Sequence, residues 1–365
     1  MNLAALPRAA KGASPYRVLV VDDSAVIRGV LSRYLEADPD VTVTALAGNG
    51  SLAIDAVRQH DVEVVVLDIE MPVMDGLTAL PQMLAVKPDL KVIIASTLTA
   101  RGADVSLRAL SIGAADYLLK PGASALVSAE AFQRELLGKI KALGATRRSA
   151  RLQVNRTAPL ALVRPQPKIH QPFAALAIGS STGGPQAVFK LLAELPSTMI
   201  HPIFITQHMP PTFTRIFAEH IQRITGRPTA EAIDGELVQR GRIYVAPGDF
   251  HMLVEKTGDR RFSLRIVQSP PVNFCRPAVD PMLKSLSAAY GGRVLTVILT
   301  GMGQDGLEGC RTLTGAGGTV IAQDEATSVV WGMPGAVAKA GLCSAVLPLA
   351  GIAGYLAPLL REGAL

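Results

Sequence analysis

Apolar and polar positions alternate in blocks along both halves of the chain. Short apolar runs, such as residues 17–21 and 294–299, are each followed by a stretch with apolar residues at helical spacing. A strand followed by a helix, repeated many times, predicts a parallel sheet with helices on both faces. The fold class is therefore α/β with two doubly wound domains. We expect an N-terminal (βα)5 domain and a mostly parallel C-terminal domain with an antiparallel hairpin around residues 257–259.

The break between the two alternating halves predicts the domain boundaries. We expect a tail over residues 1–15, a first domain over 16–143, a linker over 144–171 and a second domain over 172–365. The linker segment lacks periodicity and contains several prolines, which disfavour a continuous helix. It also carries six basic residues. We interpret it as an extended, solvated tether, with a nucleic-acid-binding tail as the alternative.

Composition narrows the functional class. The chain has 365 residues, 49% of them hydrophobic and 18% charged, with a formal net charge of +6. These values are typical of a globular protein, and no basic nucleic-acid-binding motif accompanies the charge. No signal-peptide pattern or bilayer-length apolar run is present, so we expect a cytoplasmic protein without membrane insertion. Its three widely spaced cysteines, Cys275, Cys310 and Cys343, favour a reducing compartment.

Polar residues follow the predicted strands of the first domain. Asp22 and Asp23 follow the first strand, Asp68 the third and Lys120 the fifth. Because ligands bind at the carboxyl ends of parallel strands, these groups are expected to converge there. Three carboxylates at one point require a cation, and hard oxygen ligands suit Mg²⁺. For Asp23 alone, a helix cap is the simpler interpretation.

This first half resembles a response-regulator receiver domain. The resemblance rests on the segments 20–24 (VVDDS), 66–76 (VLDIEMPVMDG) and 119–121 (LKP). It implies that Asp68 is phosphorylated by a histidine kinase and that Asp22, Asp23 and Asp68 bind Mg²⁺. It also implies that the residues responding to the phosphate are Ser96, Lys120 and Tyr117. A core tyrosine is the alternative interpretation of Tyr117.

Three segments of the second half follow strand-like runs and carry a candidate nucleophile, base and acid. Ser181 lies in a glycine turn between a strand and a helix, and His208 and Asp305 follow two later strands. A serine needs a neutral imidazole, and the imidazole needs a carboxylate to fix its tautomer. His251 is a reserve choice for the base. Asp305 could instead cap a helix, and the glycine turn could instead cradle a nucleotide phosphate.

The string Gly-x-Ser-x-Gly at 179–183 formally matches a nucleophile elbow. The chain order Ser, His, Asp differs from that of the α/β-hydrolases, so the second domain is not expected to be a standard member of that class. The residues alone predict a serine hydrolase, most simply an esterase, under the control of a receiver.

The second half resembles the catalytic domain of the chemotaxis protein-glutamate methylesterases (the CheB family). The resemblance rests on the segments 178–185 (IGSSTGGP), 207–210 (QHMP), 244–248 (YVAPG), 276–280 (RPAVD), 299–306 (LTGMGQDG), 322–326 (AQDEA) and 332–334 (GMP). It implies that Ser181 is the nucleophile, in preference to Ser180, with His208 as the base and Asp305 as its orienting partner. The backbone N–H of Met302, with that of Thr182 as a weaker candidate, is then expected to form the oxyanion hole.

This resemblance implies hydrolysis of glutamate methyl esters on methyl-accepting chemoreceptors, with release of methanol, and deamidation of receptor glutamines. Phosphorylation of the receiver is expected to activate both reactions, and no cofactor is expected in the second domain. Two alternatives are open. A non-catalytic scaffold predicts loss of at least one of the three candidate side chains, and a DNA-binding regulator predicts a helix-turn-helix after the linker.

Overall fold

The computed structural model describes residues 14–120, 129–153, 172–258 and 261–361. The chain divides into two compact units, residues 1–157 and 158–365. Most of the expected tail (residues 1–13), Pro121 and most of the expected linker (residues 154–171) lie outside the described residues. No helix within the described ranges is long and apolar enough to cross a membrane.

Strands and helices alternate strictly in the first unit. Its described elements are β1 (Tyr16–Val21), α1 (Ala25–Glu36), β2 (Val41–Ala47), α2 (Gly50–Gln59), β3 (Val64–Asp68), α3 (Gly76–Val86), β4 (Lys91–Ser96), α4 (Ala100–Ile112), β5 (Asp116–Leu119) and α5 (Ala129–Gln153). The sheet order is β2-β1-β3-β4-β5, and all of its described strand pairs are parallel. The predicted (βα)5 architecture is confirmed.

Helix α5 is longer than the sequence pattern predicted. The linker, in which a continuous helix was disfavoured, was expected to begin at residue 144, whereas α5 continues to Gln153. The extra turns are held by charge pairs with distant acids: Arg147 Nε lies 3.0 Å from Asp89 Oδ2, and Arg148 Nε lies 2.7 Å from Glu63 Oε1. The prediction of an irregular segment from residue 144 is therefore wrong for its first ten residues.

The second unit contains a seven-stranded sheet and a separate hairpin. Its described elements are β6 (Ala175–Ser180), α6 (Gly184–Glu194), β7 (Ile203–Gln207), α7 (Phe213–Thr225), β8 (Thr229–Glu231), β9 (Ile243–Val245), β10 (His251–Thr257), β11 (Arg261–Val267), α8 (Val279–Tyr290), β12 (Val294–Ile298), α9 (Leu307–Gly315), β13 (Thr319–Gln323), α10 (Met333–Lys339), β14 (Ala345–Leu347) and α11 (Leu349–Arg361).

The strand order of this sheet creates a switch point at its centre. The order is β14-β13-β12-β6-β7-β9-β8, with parallel pairing throughout the described strands, and β10 and β11 form the predicted antiparallel hairpin. From β6 the chain builds outward through β7, and from β12 it builds outward in the opposite direction. In doubly wound sheets the ligand cleft opens at the carboxyl ends of strands beside such a switch. The short edge strand β8 was not predicted.

Candidate functional sites

Strand pairing brings Ser181 and His208 to adjacent positions. In the parallel pair of β6 and β7, Ser180 is the register partner of Gln207. The next residues, Ser181 and His208, therefore leave the same edge of the sheet on neighbouring strands, which are about 4.8 Å apart. The side-chain amide of Gln207 fastens the two loops, because its Nε2 donates to the carbonyl oxygens of Ser181 at 2.9 Å and His208 at 3.3 Å.

The two adjacent serines have different environments. Ser180 is fully buried, and its hydroxyl donates a 2.7 Å hydrogen bond to Oε1 of Gln207. Ser181 is only partly buried. A nucleophile must be reached by its substrate, so the difference in exposure favours Ser181 over Ser180 as the reactive hydroxyl.

Both ring nitrogens of His208 have a side-chain neighbour. Nε2 lies 2.7 Å from Asp305 Oδ2, and Nδ1 lies 3.3 Å from the Cys275 sulfur. Burial alone would lower the pKa of this imidazole, but Cys275 and the Asp305 carboxylate outweigh burial and raise it. Because Asp305 accepts the Nε2 proton, Nδ1 of the neutral imidazole is the accepting nitrogen, and it faces the Cys275 sulfur.

The Asp305 carboxylate lies at the N-terminus of α8, a helix that precedes Asp305 in the sequence. Its Oδ2 accepts from the backbone N–H of Val279 at 2.6 Å, and its Oδ1 accepts from that of Asp280 at 3.1 Å. These donors open α8, which has no side-chain cap of its own. Burial raises the pKa of Asp305, but the hydrogen bonds with His208 and with α8 outweigh burial and lower it. A negative charge is also stabilised at a helix N-terminus.

Asp305 therefore does not cap the helix that follows it in sequence. The N-cap of α9 is Gly306, which makes no side-chain capping hydrogen bond. The simpler interpretation of Asp305 as a local cap is wrong, since its carboxylate reaches across to His208 and α8.

The loop after β12 packs directly against Ser181. The backbone N–H of Ser181 donates to the carbonyl of Thr300 at 3.1 Å. A Cβ added at Gly301 would lie 2.9 Å from the Ser181 Cβ, so only glycine allows this approach. Among the described residues, the N–H of Met302 donates to no backbone carbonyl. Thr182 is buried, and its carbonyl accepts from the Thr300 hydroxyl at 2.9 Å.

The glycine turn after β6 serves close packing. A Cβ added at Gly184 would lie 2.0 Å from Oε1 of Gln207, and one added at Gly183 would lie 2.5 Å from the Cβ of Val329. Protein side chains thus fill the space beside both glycines. The alternative of a phosphate cradle is not favoured by this packing.

The other described histidines of this unit are engaged elsewhere. The reserve candidate, His251, is fully buried; its Nδ1 accepts from the N–H of Ala278, and its Nε2 lies 3.2 Å from the carbonyl of Pro270. Burial lowers its pKa. His201 contacts the carbonyl of Phe173, and His220 stacks on Phe189.

In the first unit, three carboxylates meet at the carboxyl edge of the sheet. Asp22, Asp23 and Asp68 each offer an oxygen within 4.8 Å of the others. Lys120 Nζ lies 2.7 Å from Asp22 Oδ2 and 2.8 Å from Asp68 Oδ2. Burial raises the pKa of Asp68 despite its contact with Lys120. A set of oxygen donors this close fits Mg²⁺. Ser24, not Asp23, caps α1, so capping does not explain Asp23.

The two remaining receiver candidates lie on β4 and β5. Ser96 is buried, and its hydroxyl donates to the Gly102 carbonyl at 3.1 Å. Tyr117 is also buried, and the Lys139 ammonium lies 5.1 Å from its ring centroid. Burial raises its pKa well above the usual value. The structure thus shows Tyr117 packed within the unit.

Comparisons with known proteins identify the family to which this chain belongs. The family model for the CheB methylesterase matches residues 176–356, and the model for the response regulator receiver domain matches residues 18–130. A protein-glutamate methylesterase/protein-glutamine glutaminase from Azospirillum brasilense is 55% identical over 96% of this chain and 94% of that relative. The chain belongs to this methylesterase/glutaminase family.

One further relative and one solved structure are also similar to this chain. A methylesterase/glutaminase from Paramagnetospirillum magneticum is 53% identical over 94% of this chain and 96% of the relative. The crystal structure of the Thermotoga maritima CheB methylesterase catalytic domain is 39% identical, with a TM-score of 0.49, over 52% of this chain and 98% of that one. The two family models and the two relatives confirm the expected family and enzyme class, and the two parallel sheets confirm the fold class.

Sequence reasoning missed two residues that contact the candidate residues His208 and Asp305. Asn273 Nδ2 donates to Asp305 Oδ1 and to Asp280 Oδ2, both at 3.0 Å, and Cys275 contacts His208. Both residues lie in a stretch without periodicity, directly before the segment 276–280. The only signal in the sequence that points to them is the resemblance of that neighbouring segment to the methylesterase family. Arg276, the first residue of that segment, forms an ion pair with Asp249 at 2.6 Å.

Proposed function

We propose that this enzyme hydrolyses glutamate methyl esters on methyl-accepting chemoreceptors, and deamidates receptor glutamines, through a Ser181–His208–Asp305 triad that phosphorylation of Asp68 activates. The observation that carries the proposal is the 2.7 Å contact between His208 and Asp305, on loops that leave the sheet beside Ser181. We place the enzyme in the cytoplasm, where receptor signalling domains and a histidine kinase are accessible.

The triad makes the Ser181 hydroxyl a nucleophile. Asp305 holds the Nε2 proton of His208. Nδ1, which lies beside the Cys275 sulfur before substrate binds, then accepts the Ser181 hydroxyl proton as Ser181 Oγ attacks the ester carbonyl carbon. Collapse of the tetrahedral intermediate breaks the bond to the leaving oxygen, and the imidazolium returns its proton to release methanol. The product of this half-reaction is a glutamyl ester of Ser181.

The oxyanion of the intermediate is stabilised by backbone donors. The Met302 N–H is the main donor and the Thr182 N–H the second. Thr182 is the residue after Ser181, and Met302 lies in the loop after β12, the strand paired with β6. Loss of one such donor costs an enzyme about 100- to 1000-fold in turnover.

One acyl-enzyme serves both activities. A glutamine side chain attacked by Ser181 loses ammonia in place of methanol and gives the same glutamyl ester. Water then attacks this ester while His208 Nδ1 accepts its proton, and the product in both cases is a glutamate carboxylate with Ser181 regenerated.

Control resides in the first unit. Asp68 accepts a phosphoryl group from a histidine kinase. Asp22, Asp23 and Asp68 would hold Mg²⁺, which would supply positive charge beside the phosphoryl oxygens. Lys120, already in contact with Asp68, pairs with the phosphoryl oxygens. Ser96 and Tyr117 respond to the new group. Phosphorylation then activates the second unit through a change in state of the receiver.

The experiment measures methanol release from methylated receptor membranes, with and without acetyl phosphate and Mg²⁺. Wild-type protein is compared with Asp68→Asn. We expect the phosphodonor to raise the wild-type rate and leave the Asp68→Asn rate at its basal value. A phosphodonor response that persists in Asp68→Asn contradicts the proposed control, and an absence of methanol release from wild-type protein contradicts the proposed activity.

A further inference from the structure

A tight turn between Val272 and Cys275 lies against the triad. Its two end residues exchange backbone hydrogen bonds of 3.0 and 2.9 Å. Both central residues have left-handed backbones, with φ of 51° at Asn273 and 64° at Phe274. Two-residue turns with both central residues at positive φ favour the pair Asn-Gly. This turn has Asn in the first place and Phe in the second, where glycine is preferred.

Phe274 combines two unfavourable features. A bulky residue at positive φ is a strained outlier, because its Cβ crowds the backbone. Its side chain is also 86% exposed, the most exposed large hydrophobic residue described in the second unit. A single exposed apolar residue is ordinary on a protein surface. An exposed aromatic at a strained position beside a reactive site is not, since strain of this kind concentrates where function requires it.

The neighbours of Phe274 in the turn contact the proposed catalytic groups. Asn273 Nδ2 donates to Asp305 Oδ1 at 3.0 Å, and the Cys275 sulfur lies 3.3 Å from His208 Nδ1. Consecutive Cα atoms are about 3.8 Å apart. The Phe274 backbone is therefore held within one residue of both anchors, and its exposed ring stands at the rim of the site.

We propose that Phe274 is a substrate-contacting residue, whose ring packs on apolar side chains next to the modified glutamate of a helical protein substrate. This inference rests on the proposed function. A glutamate on a helix surface has neighbours three and four residues away on the same face. For its ester to reach Ser181, that face must come within one side-chain length of the rim. The aromatic ring covers apolar surface there, with few rotatable bonds to immobilise.

This contact acts on binding and leaves the chemical step unchanged. Phe274 touches neither Ser181 nor the oxyanion donors in the proposed mechanism, so loss of its ring removes an interaction made equally in the ground and transition states. Such a loss raises KM and leaves kcat unchanged.

The test uses the full chain, wild type beside Phe274→Gly, Phe274→Ala and Ile224→Ala, with methylated receptor membranes. Phe274→Gly removes the ring and relieves the positive φ, whereas Phe274→Ala removes the ring alone. Ile224 is the matched control, because it is 45% exposed and lies in the last turn of α7, at the opposite end of that helix from the His208 loop. Thermal unfolding midpoints are measured for all four proteins.

We expect both Phe274 variants to raise KM for the receptor about tenfold with kcat within twofold of wild type. The Ile224→Ala variant keeps both constants, and the Phe274→Gly midpoint is equal to or above that of wild type. An unchanged KM in both Phe274 variants overturns the inference, as does a fall in kcat without a rise in KM. Failure of the proposed function is a separate result, because it appears as a wild-type protein that releases no methanol.

Discussion

Ser180 donates its hydroxyl proton to Gln207 at 2.7 Å, and this contact turns the first of two adjacent serines into the protein interior. The same glutamine donates through Nε2 to the carbonyls of Ser181 and His208. A single buried amide thus joins the end of β6 to the end of β7, and the proposed nucleophile and base depend on it for their spacing.

Replacement of Gln207 by Ala is expected to impair both activity and stability. The change orphans the buried Ser180 hydroxyl, at about 1–3 kcal/mol, and loosens the loops of Ser181 and His208. A displacement of about 1 Å in a reacting group lowers turnover about 100-fold. Gln82→Ala, at an exposed position of α3, is the control. Turnover within twofold of wild type in Gln207→Ala contradicts this role.

Replacement of Asp305 by Asn is expected to lower kcat about 10⁴-fold. It is also expected to move the acid limb of the pH profile. The Asp305 carboxylate helps raise the pKa of His208, so an uncharged amide lets that pKa fall. The neutral, active imidazole then persists to lower pH. The measurement is kcat/KM against pH for both proteins, and an acid limb at the same pH in both contradicts the assignment.

The raised pKa of His208 also links stability to pH. Because the folded-state pKa lies above the unfolded value of 6.5, this group contributes its full stabilisation below that value. The contribution is lost as pH rises through the folded-state pKa. The difference in free energy of unfolding between wild type and His208→Gln is therefore expected to fall as pH rises above neutral. Denaturant titrations across that range provide the measurement, and a difference that grows with pH is the opposing result.

Replacement of Gly301 by Ala is expected to disturb the site directly. The new Cβ would lie 2.5 Å from Met333 Sδ and 2.9 Å from the Ser181 Cβ, and overpacking of this kind costs about 1–3 kcal/mol. The control is Gly354→Ala on α11, where a Cβ meets nothing within 4 Å. Thermal unfolding and methanol release are measured together. A Gly301→Ala protein as stable and as active as Gly354→Ala would contradict the close packing of Gly301 against Ser181.

Removal of divalent cations is expected to abolish stimulation by acetyl phosphate and to preserve the basal rate. In the proposed mechanism the cation is held by the carboxylates of Asp22, Asp23 and Asp68, which lie within 4.8 Å of one another, and no metal takes part at Ser181, His208 and Asp305. Lys120→Ala is expected to weaken the stimulation in the same way, with Lys87→Ala, which pairs with Asp61 away from this cluster, as control. Rates are measured with EDTA and after Mg²⁺ is restored. Loss of the basal rate in EDTA would contradict the proposal that the cation acts in the receiver and not in the ester hydrolysis.

The sequence predicted the residues at the strand ends because parallel α/β folds place polar groups there. The contacts of Lys120 with Asp22 and Asp68, and of His208 with Asp305, follow from that rule. The structural role of Asp305 at α8 could not be predicted. Periodicity does not show that a helix without its own side-chain cap is capped by a carboxylate 26 residues further along the chain.

The features that escaped prediction depend on contacts distant in sequence. Residues 144–153 have no apolar periodicity, and their helix is held by Arg147 and Arg148 against acids of earlier loops. The turn containing Asn273 and Cys275 likewise could not be recognised from its own sequence, because its importance lies in contacts with Asp305 and His208. The spacing of apolar residues predicts which face of a helix or strand is buried. It does not predict segments whose conformation depends on ion pairs and hydrogen bonds with distant residues.

The central claim is that Ser181, and not Ser180, is the nucleophile. The most direct test compares methanol release by Ser181→Ala and Ser180→Ala in the presence of the phosphodonor. The two variants lose the same hydroxyl at adjacent positions. We expect Ser181→Ala to lose activity by more than about 1000-fold, and Ser180→Ala to retain at least about a tenth of the wild-type rate, because its hydroxyl only orients Gln207. An active Ser181→Ala protein, or an inactive Ser180→Ala protein of wild-type stability, would contradict the account.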